Sequence, residues 1–301
     1  MRPPIQNISI RFLVLALGLL ALSGCSRIDL AYRNLELLLP WYVQSYVELT
    51  DRQSALMRTR VKELKRWHCA DELPVYAAWV RHVSEDLTQG TTVEQLEARY
   101  KEFQAALDRL YTQAAPHLAE LLSSASAEQA EAVIASLEKR DEKFRTSWVE
   151  LSRPELEAKY AEWMGKHLER WLGPLTEAQR QQVNAWSRSL VPTARQTLAY
   201  RQRWREALAQ ALRSGDRPEP LRRQLETLLS HPALLEPPSR AQDMTANRTR
   251  TWHLLMEVAA TMTAEQRETL RQRTDALSQT LERMSCGQQR SRADAAPPSS
   301  G

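Results

Sequence analysis

Glycine is scarce, 8 in 301 residues, and no Gly-rich phosphate-cradling loop occurs. β-branched residues form no alternating runs, so sheet is not expected. H-E-x-x-H, G-x-S-x-G and paired Cys-x-x-Cys are all missing, which removes the commonest signatures of zinc proteases, serine hydrolases and thiol oxidoreductases. The six histidines are scattered. His82 and Asp86 stand four apart with Arg81 and Glu85 beside them, a pattern that reads as solvated helix surface. Glu162 and His167, five apart, match one helix face less well. The expectation is a non-enzymatic protein with no cofactor, no metal site and no catalytic residue.

The first charged residues are Arg2 and Arg11, and an apolar run extends from near Ile8 to Leu22. A spanning helix needs about 20 apolar residues, so the layout is that of an export signal. The run ends in Leu22-Ser23-Gly24-Cys25, which resembles the lipobox of bacterial lipoproteins. That resemblance implies a signal peptide over 1–24, cleavage between Gly24 and Cys25, and acylation of the Cys25 thiol and the new amino terminus. Each buried acyl methylene contributes about 0.8 kcal/mol, so several chains anchor stably. Ser26 stands where inner-membrane lipoproteins tend to carry Asp, which points to the outer membrane and its periplasmic face. Only Ser26 and Arg27 separate the anchor from the first apolar stripe, and no flexible spacer gives reach. Residues 28–46, with Trp41, Tyr42 and Tyr46, are therefore expected at the bilayer surface.

Without Arg2 and Arg11 the net charge of +4 becomes +4 − 2 = +2, a balance that argues against a general polyanion binder. The expected partners are the bilayer through acylated Cys25 and an unidentified envelope protein or anionic glycolipid. Export makes nucleic acid an unexpected partner.

Apolar residues recur at three- and four-residue steps through most of the chain, which predicts an all-α multi-helix bundle. Ile28, Tyr32, Leu35 and Leu39 form a stripe that Pro40 should end; Met57, Val61, Leu64 and Trp67 form the next. Pro74 should open a helix that Gly90 closes. Pro154 should break or bend a long stretch, and a kink is expected where the stripe from Val183 to Leu212 passes Pro192. Five prolines crowd residues 214–240, which hold only a short helical pattern around Leu221 to Leu229 and are the best candidate for a linker or flap within a helical domain over 25–286. Residues 287–301 are polar and should be disordered.

A Thr or Ser followed three residues later by Gln recurs at Thr50/Gln53, Thr92/Gln95, Ser126/Gln129, Thr176/Gln179 and Thr263/Gln266. Each is a capping box that marks a helix start. The uneven offsets exclude a solenoid of fixed period. Leu49-Thr50-Asp51-Arg52-Gln53, Leu175-Thr176-Glu177-Ala178-Gln179 and Met262-Thr263-Ala264-Glu265-Gln266 also resemble the L-T-x-x-Q motif of Spy-like periplasmic chaperones. That resemblance implies a client-holding role in the envelope as the alternative to a binding or structural one.

Three further segments are similar to an uncharacterised group of proteobacterial lipoproteins classed as a domain of unknown function. They are the decapeptide running from Cys25 to Asn34, Leu73-Pro74-Val75-Tyr76-Ala77-Ala78-Trp79, and Trp171-Leu172-Gly173-Pro174-Leu175-Thr176 with Gln179 beyond. The likeness implies the anchor and the helices, and no activity.

Between Gln179 and Arg205 arginines occur without a single Asp or Glu. Arg195, Arg201, Arg203 and Arg205 form a candidate anion-binding group suited to lipid or lipopolysaccharide phosphate. The alternative is pairing with glutamates of neighbouring helices. Lipidation of Cys25 leaves Cys69 and Cys286, two thiols in an oxidising compartment. Each ends a helical stripe, and parallel packing of the first and last helices would bring the two exits within bridging distance of about 7 Å. A disulfide between them is the expectation, with two free thiols, one buried beside Trp67 and His68, as the alternative.

Overall fold

The computed structural model describes residues 25–213 and 218–286, so the expected signal peptide, Gly24 and the C-terminal tail lie outside the described residues. The described chain is all-α, without strands among its described residues. Helices α1 (Cys25–Arg33) and α2 (Leu35–Gln44) lead to α3 (Asp51–Trp67). A π-helical turn (His68–Glu72) carries α3 without interruption into α4 (Leu73–Gln89). Next come α5 (Val93–Ser123), α6 (Ala127–Phe144), a second π turn (Arg145–Val149) and α7 (Arg153–Leu172). The rest is α8 (Glu177–Ser189), α9 (Ala194–Arg213), α10 (Pro218–Ser230), a 3-10 turn (Pro232–Leu235), α11 (Pro238–Ala260) and α12 (Ala264–Met284).

The five Ser/Thr…Gln boxes all form, each with the hydroxyl accepting from the Gln amide N–H and the Gln side chain reaching back to the cap N–H. A sixth, Ser152 with Glu155, starts α7 and places Pro154 in its first turn, where a missing N–H costs nothing. Prolines act differently from the sequence expectation at three places. Pro40 is buried inside α2 and does not end it, because one lost backbone bond is local while the α2 packing against α3 is retained. Pro74 lies in the first turn of α4, but the π turn joins α4 to α3, so it opens no separate helix. Pro192 does more than kink its stripe: residues 190–193 leave the helix altogether and divide α8 from α9, since the residue before a proline is driven out of the α region. The exposed backbone of Val191 is taken over by Asn247, whose Oδ1 accepts its N–H at 2.9 Å and whose Nδ2 donates to its carbonyl at 2.8 Å.

Residues 218–230, within the expected linker, form α10 and pack on α5 and α9. Leu225 is 0% exposed, among Ala119, Leu208 and Ala211. The prolines bound this helix at its start and release the chain into the 3-10 turn and α11.

Helix α12 lies along α4 in antiparallel sense. Ser278 donates to the Ala77 carbonyl at 3.0 Å, Thr274 donates to Ser84 Oγ at 2.8 Å, and Arg81 reaches both Ser278 and Glu282. The end of α12 therefore meets the start of α4. There Cys69 in the π turn is bonded to Cys286, with Cα atoms 5.2 Å apart and 217 positions between them in sequence. The geometry differs from the parallel helix exits expected above: Cys69 stands at the entrance of α4 and not at a free helix end.

Candidate functional site

Helices α4, α5, α7, α8, α11 and α12 surround a cavity of about 480 Å³. Rings supply much of its wall: Trp79, Tyr100, Tyr160, Trp163, Trp186 and Trp252, with Met164, Leu255 and Met262 between them. The exposed residues Gln104, Ala241 and Thr245 mark its mouth.

The polar groups around it are tied to one another. The Trp252 indole N–H donates to Glu97 at 2.7 Å, and the same carboxylate oxygen accepts from Arg248 at 3.0 Å. Burial pulls the Glu97 carboxyl up, but these two donors outweigh it and hold the group below the usual carboxylate range. Arg248 stacks over the Tyr100 ring at 4.7 Å, and Tyr100 packs on Trp252 with ring centres 5.8 Å apart. Burial pushes the Tyr100 hydroxyl up. Across the cavity, Trp186 donates to Thr251 at 3.2 Å, and Trp79 donates to the Arg99 carbonyl at 2.9 Å. Arg240 pairs with Glu236 and lies over Tyr200 at 4.8 Å. The result is a largely apolar chamber in which the indoles of Trp79, Trp186 and Trp252 and the guanidinium of Arg248 are engaged by the protein. The sequence offers no signal for it beyond tryptophans at helical spacing, because its walls come from positions up to 195 residues apart, from Trp79 to Thr274 (274 − 79).

The arginines of the candidate anion group do not converge. Arg201 and Arg205 both bind Asp141, which is 5% exposed, the former at 2.7 Å. Arg203 points away, donating to the Ala199 carbonyl at 3.4 Å, and Arg195 is exposed elsewhere on α9. Asp141 on α6 thus takes the charge of two of the four, with Glu138 of the same helix 4.0 Å from Arg205 as well, which is the pairing alternative with an aspartate as the main partner. Asp86 accepts from Arg99 at 2.7 Å and His82 is exposed, so the two form no paired site. Glu162 bonds Lys166, and His167 contacts the Trp163 carbonyl at 2.5 Å. Among the described residues no group of three or more His, Cys, Asp or Glu could hold a metal ion, and no helix is long and apolar enough to cross a membrane.

Cys25 is the first residue of α1. Downstream of it, Leu30, Leu37, Leu38, Trp41 and Tyr42 are exposed, five of the eight large apolar side chains exposed among the described residues. Tyr32, on the opposite side, donates to the Lys65 carbonyl at 3.3 Å and hydrogen-bonds His68 Nδ1 at 3.0 Å, which docks α1 beside the disulfide. Tyr76 meets His68 edge to face with ring centres 5.4 Å apart, and Trp171 packs on the same cluster. Three segments far apart in sequence, around Tyr32, Tyr76 and Trp171, therefore meet at one end of the molecule.

Fold and cavity define an all-α protein with an aromatic internal chamber and one apolar outer face. The chain belongs to a family of unknown function, DUF6279, whose model matches residues 45–240. No curated protein and no solved structure matches the chain.

Proposed function

We propose that the protein is an outer-membrane lipoprotein, acylated on Cys25, whose helical body rests on the periplasmic leaflet and has a binding role in the envelope. The observation that carries this reading is the placement of the exposed apolar face. Backbone bonds from Asn34 to Leu30 at 3.2 Å and from Leu38 to Asn34 at 3.0 Å keep α1 and α2 nearly continuous. At 100° per residue, Leu30, Leu37 and Trp41 then fall within about 40° of one another. Trp41 is 69% and Leu30 63% exposed, and both lie in the first two helices after Cys25. Beside this face, Arg52, Arg58, Lys62 and Arg66 are exposed on α3, and Lys65 ties the two layers by donating to Glu36 at 2.9 Å. An apolar face with cations alongside suits the boundary between headgroups and acyl chains. The chaperone alternative draws less support, because the glutamines of all three L-T-x-x-Q segments are buried and bonded internally.

The test is fractionation of Cys25→Ala together with quenching by lipid-borne quenchers. The variant should remain a precursor or an unlipidated form and leave the outer-membrane fraction. In the wild-type protein, Trp41 should be quenched more than Trp252. Normal maturation of the variant in the outer membrane, or equal quenching, overturns the reading.

A further inference from the structure

We propose that the aromatic cavity binds the aliphatic chain of a monoacyl amphiphile, a fatty acid being the simplest. Its volume of about 480 Å³ falls within the range of about 300–1,000 Å³ typical of small-ligand sites. Its lining is mostly ring and aliphatic surface, and several of its polar groups are already engaged within the protein. The indole N–H groups of Trp79, Trp186 and Trp252 donate within the protein, and the guanidinium groups of Arg99, Arg240 and Arg248 are each paired with a carboxylate.

This decides the ligand class. A polypeptide segment would bring backbone N–H and C=O groups against a wall made mostly of rings and aliphatic side chains, and each group left unpaired there would carry its desolvation cost. A sugar or nucleotide fits such a wall poorly on the same ground. A hydrocarbon chain brings no such group, and its burial is favourable in proportion to its apolar area. Met164, Met244 and Met262 among the rings give the wall the adaptable side chains a flexible chain needs. The mouth at Gln104, Ala241 and Thr245 leaves the polar head in water. The wall's aromatic and aliphatic lining carries this proposal whatever the outcome for the Cys25 anchor.

The experiment uses the mature, full-length protein in phospholipid nanodiscs with a palmitic acid analogue carrying a diazirine at its terminal carbon. After illumination, labelled positions are mapped by peptide mass spectrometry. Label on Met244, Leu255 or Met164 that excess unlabelled palmitate suppresses supports the proposal. Leu255→Trp, which fills the chamber, should weaken labelling about tenfold, the worth of two buried methylenes. The competition on the unaltered protein decides the matter if that variant does not fold. Label confined to residues 25–46 overturns the proposal and leaves membrane seating intact. Wall label that palmitate does not displace, or that a denatured polypeptide displaces at lower concentration than palmitate, overturns it too.

Discussion

Gln179 and Gln266, 87 residues apart, exchange side-chain amides: the Nε2 of each donates to the Oε1 of the other at 2.9 Å. Each oxygen also accepts from the cap N–H of its own helix, at 3.0 Å from Thr176 and 3.1 Å from Thr263. The second N–H of each amide goes to a carbonyl two residues before the opposite cap, Thr261 at 3.4 Å and Pro174 at 2.8 Å. Gln53 and Gln129 repeat the arrangement at 2.9 and 2.8 Å, with Ser124 and Glu48 as the carbonyls. Every donor and lone pair of four amides is used, and two pairs of helix starts are locked head to head. A glutamate would cap equally well and could donate nothing, which explains why these boxes carry glutamine.

Gln179→Leu should therefore cost about 1–3 kcal/mol, because it strands the Gln266 amide and the Thr261 carbonyl in a buried place. Gln95 belongs to the exposed Thr92 box, whose bonds run between Thr92 and Gln95 alone, and Gln95→Leu should cost less than about 1 kcal/mol. Urea midpoints of the two variants compare the costs, and equal shifts would remove the clasp as a stabilising element.

The bond between Cys69 and Cys286 joins residues 217 positions apart, and in the chain-entropy model a loop of that size contributes about 5 kcal/mol. Thiol titration of the denatured, unreduced Cys25→Ala variant, which keeps only these two cysteines, should find none free. Reduction should expose two per chain and lower the urea midpoint.

Asp141→Asn should destabilise the protein by about 2 kcal/mol, since one nearly buried carboxylate serves both Arg201 and Arg205. If Arg201→Gln is made in the same background, the two losses should fall short of additive, the mark of a shared pair. Denaturant titrations of the two single variants and the double variant supply the cycle.

Burial holds the His68 imidazole below its ordinary value of 6.5, against a weaker opposing pull from Glu72. In the unfolded chain the ring takes its proton near 6.5, so below that pH the unfolded state binds more protons. Stability contributed by this group is complete above 6.5 and falls as pH drops from there toward the depressed folded value. Urea midpoints should decline between about pH 7 and about pH 5.5, and His68→Gln should flatten that slope.

The helix starts were legible because a capping box is local: hydroxyl, spacing and glutamine lie within four residues. The same reading could not tell which boxes face each other, since Gln53 and Gln129 are joined only by tertiary packing. Part of a signal was present, because the clasped boxes follow Leu49, Ala125, Leu175 and Met262, whereas the unclasped box at Thr92 follows Thr91. Charge was read with the wrong range in view: the run of arginines on α9 lacks acids in sequence, while Asp141 lies on α6. Proline density at 218–238 marked the ends of α10 and α11 correctly as interruptions, but the burial of Leu225 between them depends on α5 and is invisible locally.

The disulfide also sets how the molecule would carry a mechanical load. A pull between the two chain ends enters through α1 to α3, crosses from Cys69 to Cys286 and leaves by the tail, so tension bypasses the 217-residue loop. The clasps and the aromatic chamber, apart from the Gln53 side of the first clasp, lie within that slack arc. At about 3.3–3.6 Å per extended residue, the bond withholds roughly 700 Å of contour length over those 217 residues, released only by reduction.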